Sequence, residues 1–172
     1  LWAMEEHRVG LKPILRRVWA PRSQRPRAVV RPRYEWESVY GFVPPQTGAT
    51  EWLLLPTVNI AVFTLALAPF ARAVGAGPDK PIVLVLDQAG WQQSPLVVVP
   101  PGLHRVPRPS YSPELQPAER LWPLTNEPLA NWTVATLADL AAVLGDRCAD
   151  LAAQPDRIRA DTLLHWWPRL TA

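Results

Sequence analysis

The sequence predicts an α/β fold in which a mixed β-sheet is flanked by helices. Between residues 34 and 55, two stretches of alternating apolar and polar residues are joined by a proline-rich turn, a pattern typical of a hairpin. Residues 82–86 form an unbroken apolar run, which indicates an internal strand covered on both faces. Residues 60–74 and much of the chain after residue 116 have apolar residues three and four positions apart, the spacing of amphipathic helices.

The chain is long enough for one domain with a buried core, and we expect residues 1–172 to form it. Of these residues 48% are apolar and 21 are proline, so the prolines are expected in loops around that core. The longest apolar run, residues 60–71, contains Pro69 and is shorter than the roughly 20 residues of a membrane span. Cys148 has no second cysteine to pair with, which excludes a disulfide scaffold. Because no secretion leader is recognisable, we expect a cytoplasmic protein with no membrane partner.

Basic residues are concentrated at the beginning of the chain. Residues 1–33 contain nine Lys or Arg and two Glu, whereas the remaining residues carry a net charge of −4. Sixteen of the 18 basic residues are arginine, whose planar guanidinium matches pairs of phosphate oxygens. This asymmetry indicates a polyanionic partner such as nucleic acid, and a solvated arginine-rich loop is the alternative interpretation.

Three strands are predicted in the first third of the chain. The first strand is expected to end at Glu5 and Glu6, which alternation places on opposite faces. Residues 13–33, rich in Pro and Arg, are expected to form a long irregular loop. The hairpin follows, with strands over residues 34–43 and 50–55.

The remaining elements alternate a helix, two strands and further helices. Asn59 is positioned to cap a helix over residues 60–74, and a short strand is expected at 103–106 after the apolar strand. Three more helices are predicted at about 117–130, 136–153 and 155–163. The spacing of the apolar residues in the second of these predicts that Cys148 is a buried thiol and not a nucleophile.

Two carboxylates, Asp87 and Glu119, lie at positions that are candidates for catalytic residues. Asp87 follows the apolar strand directly, and open α/β sheets place reactive groups at the carboxyl ends of such strands. An aspartate that merely starts a turn is the alternative. Glu119 is the third residue of a helix that begins at Pro117, where the helix dipole favours a glutamate in any case. Glu114 is expected to be a solvated loop charge.

The type of ligand narrows the possible metals. Glu5 or Glu6 could join Asp87 at one end of the sheet, where carboxylates repel one another and take up protons unless a cation binds. Oxygen ligands suit Mg²⁺ or Mn²⁺. Zinc is not expected, because the three histidines are scattered and only one cysteine is present. The sequence also lacks a glycine-rich phosphate loop before a helix and a Gly-x-Ser-x-Gly elbow.

Four segments resemble the catalytic domain of bacterial insertion-sequence transposases. They are Met-Glu-Glu-His-Arg-Val-Gly-Leu-Lys-Pro at 4–13, Arg-Val-Trp-Ala-Pro-Arg at 17–22, Leu-Val-Leu-Asp-Gln-Ala-Gly-Trp at 84–91 and Tyr-Ser-Pro-Glu-Leu-Gln-Pro-Ala-Glu-Arg-Leu-Trp at 111–122. That family comprises DDE endonucleases related to the mariner elements, with a ribonuclease H-like fold. The resemblance covers essentially the whole chain and implies metal-dependent DNA cleavage and strand transfer.

The resemblance also implies which residues act. It assigns catalysis and the binding of two Mg²⁺ or Mn²⁺ ions to Glu5, Asp87 and Glu119, with 31 residues between the last two. The family has aspartate followed by glutamate at the first position, so Glu5 replaces the expected aspartate. Gln92 stands where relatives often have histidine, and the family's upstream helix-turn-helix modules are absent here. A catalytically impaired remnant that only binds DNA is therefore an alternative, and a structural domain for protein assembly is a third.

Double-stranded DNA, as element ends and target, is the partner that the resemblance implies, with a homodimer as the active assembly. We assign contacts with the DNA backbone to five arginines of the basic segment: Arg16, Arg17, Arg22, Arg25 and Arg27. Trp19 and Trp91 are expected in the core, with stacking on a base as the alternative. Arg120 is expected to pair locally with a carboxylate.

Overall fold

A computed structural model gives the structure of residues 1–27 and 33–168, in which five strands form one mixed sheet. The strands follow the spatial order β3-β2-β1-β4-β5. Their bounds are β1 Trp2–Gly10, β2 Trp36–Val43, β3 Glu51–Leu55, β4 Ile82–Leu86 and β5 Leu103–Pro107. The first three strands pair antiparallel, whereas β1 with β4 and β4 with β5 pair parallel. The predicted mixed sheet is therefore confirmed, with β1 at its centre.

Helices cover both faces of the sheet, because the strands bury apolar side chains on each side. Helix α1 (Ile60–Val74) packs through Phe63, Leu67 and Phe70 against one face, where Met4 also lies. Helices α4 (Leu137–Ala152) and α5 (Pro155–Thr162) pack against the other face. Two single-turn helices are α2 (Gly90–Gln93) and α3 (Trp122–Thr125), and Trp122 at the start of α3 stacks on His7 of β1. Among the described residues, no helix has the length and apolar character needed to cross a membrane.

Local patterns predicted several elements well. Asn59 caps α1, since its side-chain oxygen accepts a hydrogen bond from the Val62 N–H at 2.9 Å. Cys148 is 3% exposed within the core cluster under α4, as its position on the apolar face of that helix predicts. The loop after β1 is irregular over the residues that the structure describes; residues 28–32 of its predicted range lie outside them.

Two predicted boundaries are wrong. The first strand does not end at Glu5 and Glu6 but continues to Gly10, because β2 pairs with it along its whole second half. The helix predicted over 117–130 is instead a succession of short turns: the 3₁₀ turns Pro117–Leu121 and Glu127–Leu129 on either side of α3. Pro123 and Pro128 fall inside the predicted helix and remove N–H donors that a continuous helix requires, whereas Pro117 occupies its first position, where no donor is needed.

Replacing the cap of α1 is expected to destabilise the fold measurably. Asn59→Ala leaves the Val62 N–H without its partner, so the free energy of unfolding should fall by about 1 kcal/mol in urea titrations. Asn59→Asp retains an acceptor and should keep most of the stability. Equal losses in both variants would show that the side-chain oxygen does not stabilise this helix.

Candidate active site

Two of the predicted carboxylates lie side by side on neighbouring parallel strands. β1 and β4 pair Trp2 with Leu84 and Ala3 with Val85. Continuing that register by two residues brings Glu5 level with Asp87, and alternation points both side chains to the same face of the sheet. Glu5 is only 7% exposed, and Asp87 is half-buried with its Oδ1 accepting a hydrogen bond from the Ala89 N–H at 2.7 Å.

Glu119 reaches this edge of the sheet because the turn that carries it is fastened to β1 and β2. The buried Gln116 side chain donates a hydrogen bond to the carbonyl of Met4, next to Glu5, at 3.0 Å. A side chain on Gly41 of β2 would come within 3.0 Å of both Leu121 and Trp122. The turn Pro117–Leu121 therefore lies close against the sheet only because residue 41 is glycine.

Burial and mutual repulsion disfavour the charged form of Glu5. Burial, followed by the negative charges of Glu6 and Asp87, raises its pKa to about 8, and Glu119 adds a smaller repulsion. Its Oε1 accepts a hydrogen bond from the Glu6 N–H at 3.0 Å, whereas its Oε2 is buried and has no hydrogen-bond partner in the described structure. The pKa of Glu119 is also raised, mainly by burial, although Arg108 opposes the shift.

Glu6 has a different environment, because two neutral donors hold it. Its carboxylate accepts hydrogen bonds from the Gln92 side chain at 2.6 Å and from the Trp91 indole at 3.2 Å. Burial raises the pKa of Glu6 to about 7, and these two bonds limit the increase. Gln92 is itself buried, and its backbone carbonyl accepts a hydrogen bond from Arg105. Gln92, which stands where the resemblance implies a histidine, thus anchors Glu6 and α2 at the edge of the site.

The three predicted acids border two adjoining clefts that meet at Asp87. Asp87 lines both clefts, Glu5 lines the first, of about 590 Å³, and Glu119 lines the second, of about 470 Å³. Within the described residues, no three His, Cys, Asp or Glu side chains are grouped so that they could hold one metal ion. Magnesium commonly binds to one or two carboxylates, with water and substrate phosphate completing its shell. The free Oε2 of Glu5 beside Asp87 fits that mode of binding.

The basic segment is anchored at its start and exposed beyond it. Ile14 bridges to Ala130, and Arg16 bonds through its N–H to the Asn131 side chain at 2.9 Å and through its guanidinium to the Pro123 carbonyl at 3.1 Å. The other four predicted contact residues are all exposed: Arg17, Arg22, Arg25 and Arg27. The loop therefore presents its charges to solvent from a fixed base.

Three side-chain predictions are wrong. Trp19 is completely exposed in the basic loop, and Trp91 is 38% exposed and bonded to Glu6, so neither belongs to the core. Arg120 is exposed and forms no ion pair with any carboxylate that the structure describes. These side chains lie on loops or turns, where no periodic pattern indicates burial. Glu114 is exposed, as expected.

Sequence reasoning missed two residues that shape the site. Gln116 precedes the predicted helix start at Pro117, and its side chain donates a hydrogen bond to the carbonyl of Met4. Arg108 lines the second cleft, lies near Glu119 and donates to the Ser112 carbonyl. Their roles depend on contacts between distant segments, and the sequence carried no local signal for them beyond the polar residue types.

Comparisons with known proteins identify relatives of the chain. Residues 1–141 match the model of the DDE superfamily endonuclease family. An uncharacterized protein of Sinorhizobium fredii, y4pE/y4sA, is 32% identical over 135 residues, which cover 76% of this chain and 96% of that protein.

Solved structures of the Mos1 mariner transposase share the fold. The paired-end complex with Mn has a TM-score of 0.62 at 15% identity, and the match covers 94% of this chain and 55% of that one. The match with the catalytic domain of the same transposase has a TM-score of 0.58 at 13% identity, and it covers 94% of this chain and 78% of that domain's chain. The chain thus spans little more than half of the Mos1 chain in the complex. The predicted ribonuclease H-like fold is confirmed.

The raised pKa of Glu5 predicts a pH-dependent stability without divalent cations. Because the folded protein retains this proton up to about pH 8 and the unfolded chain loses it near pH 4.5, stability should fall as pH rises through that window. Glu5→Gln should remove the part of that fall due to Glu5, on the order of a few kcal/mol at pH 8, and leave the smaller part due to Glu6, whose pKa is raised to about 7. Urea unfolding in EDTA from pH 5 to 8.5 measures the difference, with the exposed Glu114→Gln as control. Parallel curves for the wild type and Glu5→Gln would contradict the assigned environment.

Proposed function

The chain belongs to the DDE superfamily endonucleases, and from this membership we propose that it cleaves DNA and transfers the cut strand during transposition of an insertion sequence. The observation that carries the proposal is the buried, unpartnered Oε2 of Glu5 beside Asp87. A carboxylate so placed is unfavourable without a cation, and DNA strand transfer requires cations to offset charge at phosphorus.

Glu5, Asp87 and Glu119 are the proposed ligands of two divalent ions. When bound, Mg²⁺ or Mn²⁺ would activate the attacking oxygen and stabilise charge on the attacking and leaving oxygens. The chain itself would position the three carboxylates. β1 and β4 fix Glu5 and Asp87 at the same level, and the bond from Gln116 to the Met4 carbonyl holds the turn that carries Glu119.

Phosphate binding is assigned to the basic loop. Five of its arginines would contact the DNA backbone through charge, without reading sequence: Arg16, Arg17, Arg22, Arg25 and Arg27. Arg16 is held by Asn131 and Pro123 and would mark where the DNA meets the folded body. The Mos1 structures include a paired-end complex with a transposon end, and by analogy we propose that two copies of this chain act together on two DNA ends.

A catalytically impaired, DNA-binding remnant is the second candidate function. Glu5 carries one methylene more than the aspartate of the family, which moves its carboxylate by roughly 1.5 Å. One of its oxygens is already engaged by the Glu6 N–H. A displacement of about 1 Å at a reacting centre can lower a rate on the order of 10²-fold.

Nicking of supercoiled plasmid in Mn²⁺ tests the proposal. The wild-type chain should nick the plasmid, and Asp87→Ala should lower the rate by on the order of 10²-fold because a proposed metal ligand is lost. Asp79→Ala, which removes an exposed aspartate outside both clefts, should leave the rate unchanged.

Glu5→Asp separates the two candidate functions. If Glu5→Asp alone nicks the plasmid, the chain is an impaired remnant whose fold still supports the site. If neither chain nicks while both bind DNA, the enzymatic proposal is wrong.

A further inference from the structure

The first cleft, which is lined by carboxylates, also contains a positive charge. Arg8 lies on β1 three residues beyond Glu5, on the face of Glu6, and lines the same cleft as Glu5, Glu6 and Asp87. Arg8 is exposed, and no carboxylate of the described residues forms an ion pair with it. At about 3.4 Å per strand residue, its backbone lies about 10 Å from that of Glu5.

A tryptophan fixes the position of this arginine. The guanidinium carbon of Arg8 lies 4.4 Å from the centre of the Trp36 ring, the arrangement of a cation–π pair. Trp36 is the first residue of β2 and lines the cleft beside Arg8. Stacking on an indole restrains a long side chain and leaves the N–H groups at the edge of the guanidinium free to bind oxygens.

The tryptophan in turn depends on a glycine opposite it. Gly10 pairs with Trp36 across the strands, and a Cβ at position 10 would come within 2.3 Å of the Trp36 Cε3 atom. It would also come within 3.0 Å of the Glu35 carbonyl oxygen, which is backbone and has little freedom to move. Only glycine at this position lets the indole lie against β1 and present its ring to Arg8.

We propose that Arg8, held by Trp36, is a subsite for a phosphodiester of the DNA strand that enters the carboxylate end of the cleft. The proposal rests on the proposed function, because that function supplies DNA as the ligand. A cleft lined with acids alone would repel a DNA strand. The Arg8 guanidinium, whose backbone lies about 10 Å from that of Glu5, would attract a phosphate neighbouring the one bound at the acids. The planar fork of arginine suits two oxygens of one phosphate.

Salt-dependent binding of a fluorescein-labelled 20-base-pair duplex tests the subsite. Affinity is measured by anisotropy in Ca²⁺ and in EDTA over a range of NaCl concentrations. Arg8→Gln should weaken binding on the order of 10-fold and reduce the slope of log K against log salt by about 0.9, the loss of one phosphate contact. Arg72→Gln, which removes an exposed arginine in the last turn of α1, should change neither quantity. Melting temperatures verify that each variant is folded.

Two further variants distinguish the stacked guanidinium from general charge. Arg8→Lys keeps the charge but loses the planar fork, so it should retain the slope and lose part of the affinity. Gly10→Ala should resemble Arg8→Lys because it displaces the indole, and Trp36→Leu, which removes the aromatic face, provides the same comparison if Gly10→Ala does not fold. An unchanged slope in Arg8→Gln, or an equal loss in Arg72→Gln, would overturn the subsite.

The plasmid-nicking assay separates a failure of the Arg8 subsite from a failure of the proposed function. If no variant nicks the plasmid but Arg8→Gln still lowers the salt slope, the subsite stands and the enzymatic proposal fails. If the wild type nicks and Arg8→Gln binds with an unchanged slope, the enzyme stands and the subsite fails.

Discussion

Repulsion among carboxylates at one edge of the sheet is the constraint on which this structure depends. Asp87 follows the carboxyl end of β4, Glu5 and Glu6 lie beside it in the middle of β1, and Glu119 approaches from a turn packed on the same sheet. Buried carboxylates cannot all carry charge without compensation, so the folded chain must bind protons or cations there. The hydrogen-bond donors around each carboxylate determine whether that carboxylate takes up a proton or is available to a cation.

The two adjacent glutamates meet that constraint differently. Glu6 receives hydrogen bonds from Trp91 and Gln92, so neutral donors of the protein satisfy its oxygens. Glu5 receives one bond from a backbone N–H and has a buried oxygen without a partner. The first arrangement stabilises α2 against the sheet, and the second leaves a ligand available. Glu6 therefore has a structural role, whereas Glu5 keeps an oxygen available as a ligand.

The sequence predicted what depends on local patterns. The apolar run of β4, the cap at Asn59 and the burial of Cys148 follow from spacing within a single element, and the structure has all three. Spacing within one element gives no information on contacts between distant segments of the chain. Gln116 reaches a carbonyl of β1, 112 residues earlier in the chain, and Trp19 follows no periodic pattern. The broken helix after Pro117 shows that two internal prolines, Pro123 and Pro128, outweigh a helical spacing of apolar residues.

The position of Glu5 at the centre of the sheet decides how its extra methylene can be accommodated. β1 pairs with β2 on one side and β4 on the other, so its backbone cannot move back to compensate for a longer side chain. The turn with Glu119 is likewise held by close packing on Gly41. Any adjustment must therefore come from the rotamer of Glu5 or, in the proposed complex, from the positions of the cation and the DNA. If the chain cleaves DNA as proposed, its contacts with the substrate decide whether Glu5 supports catalysis, because the DNA is the one component that this fold does not fix.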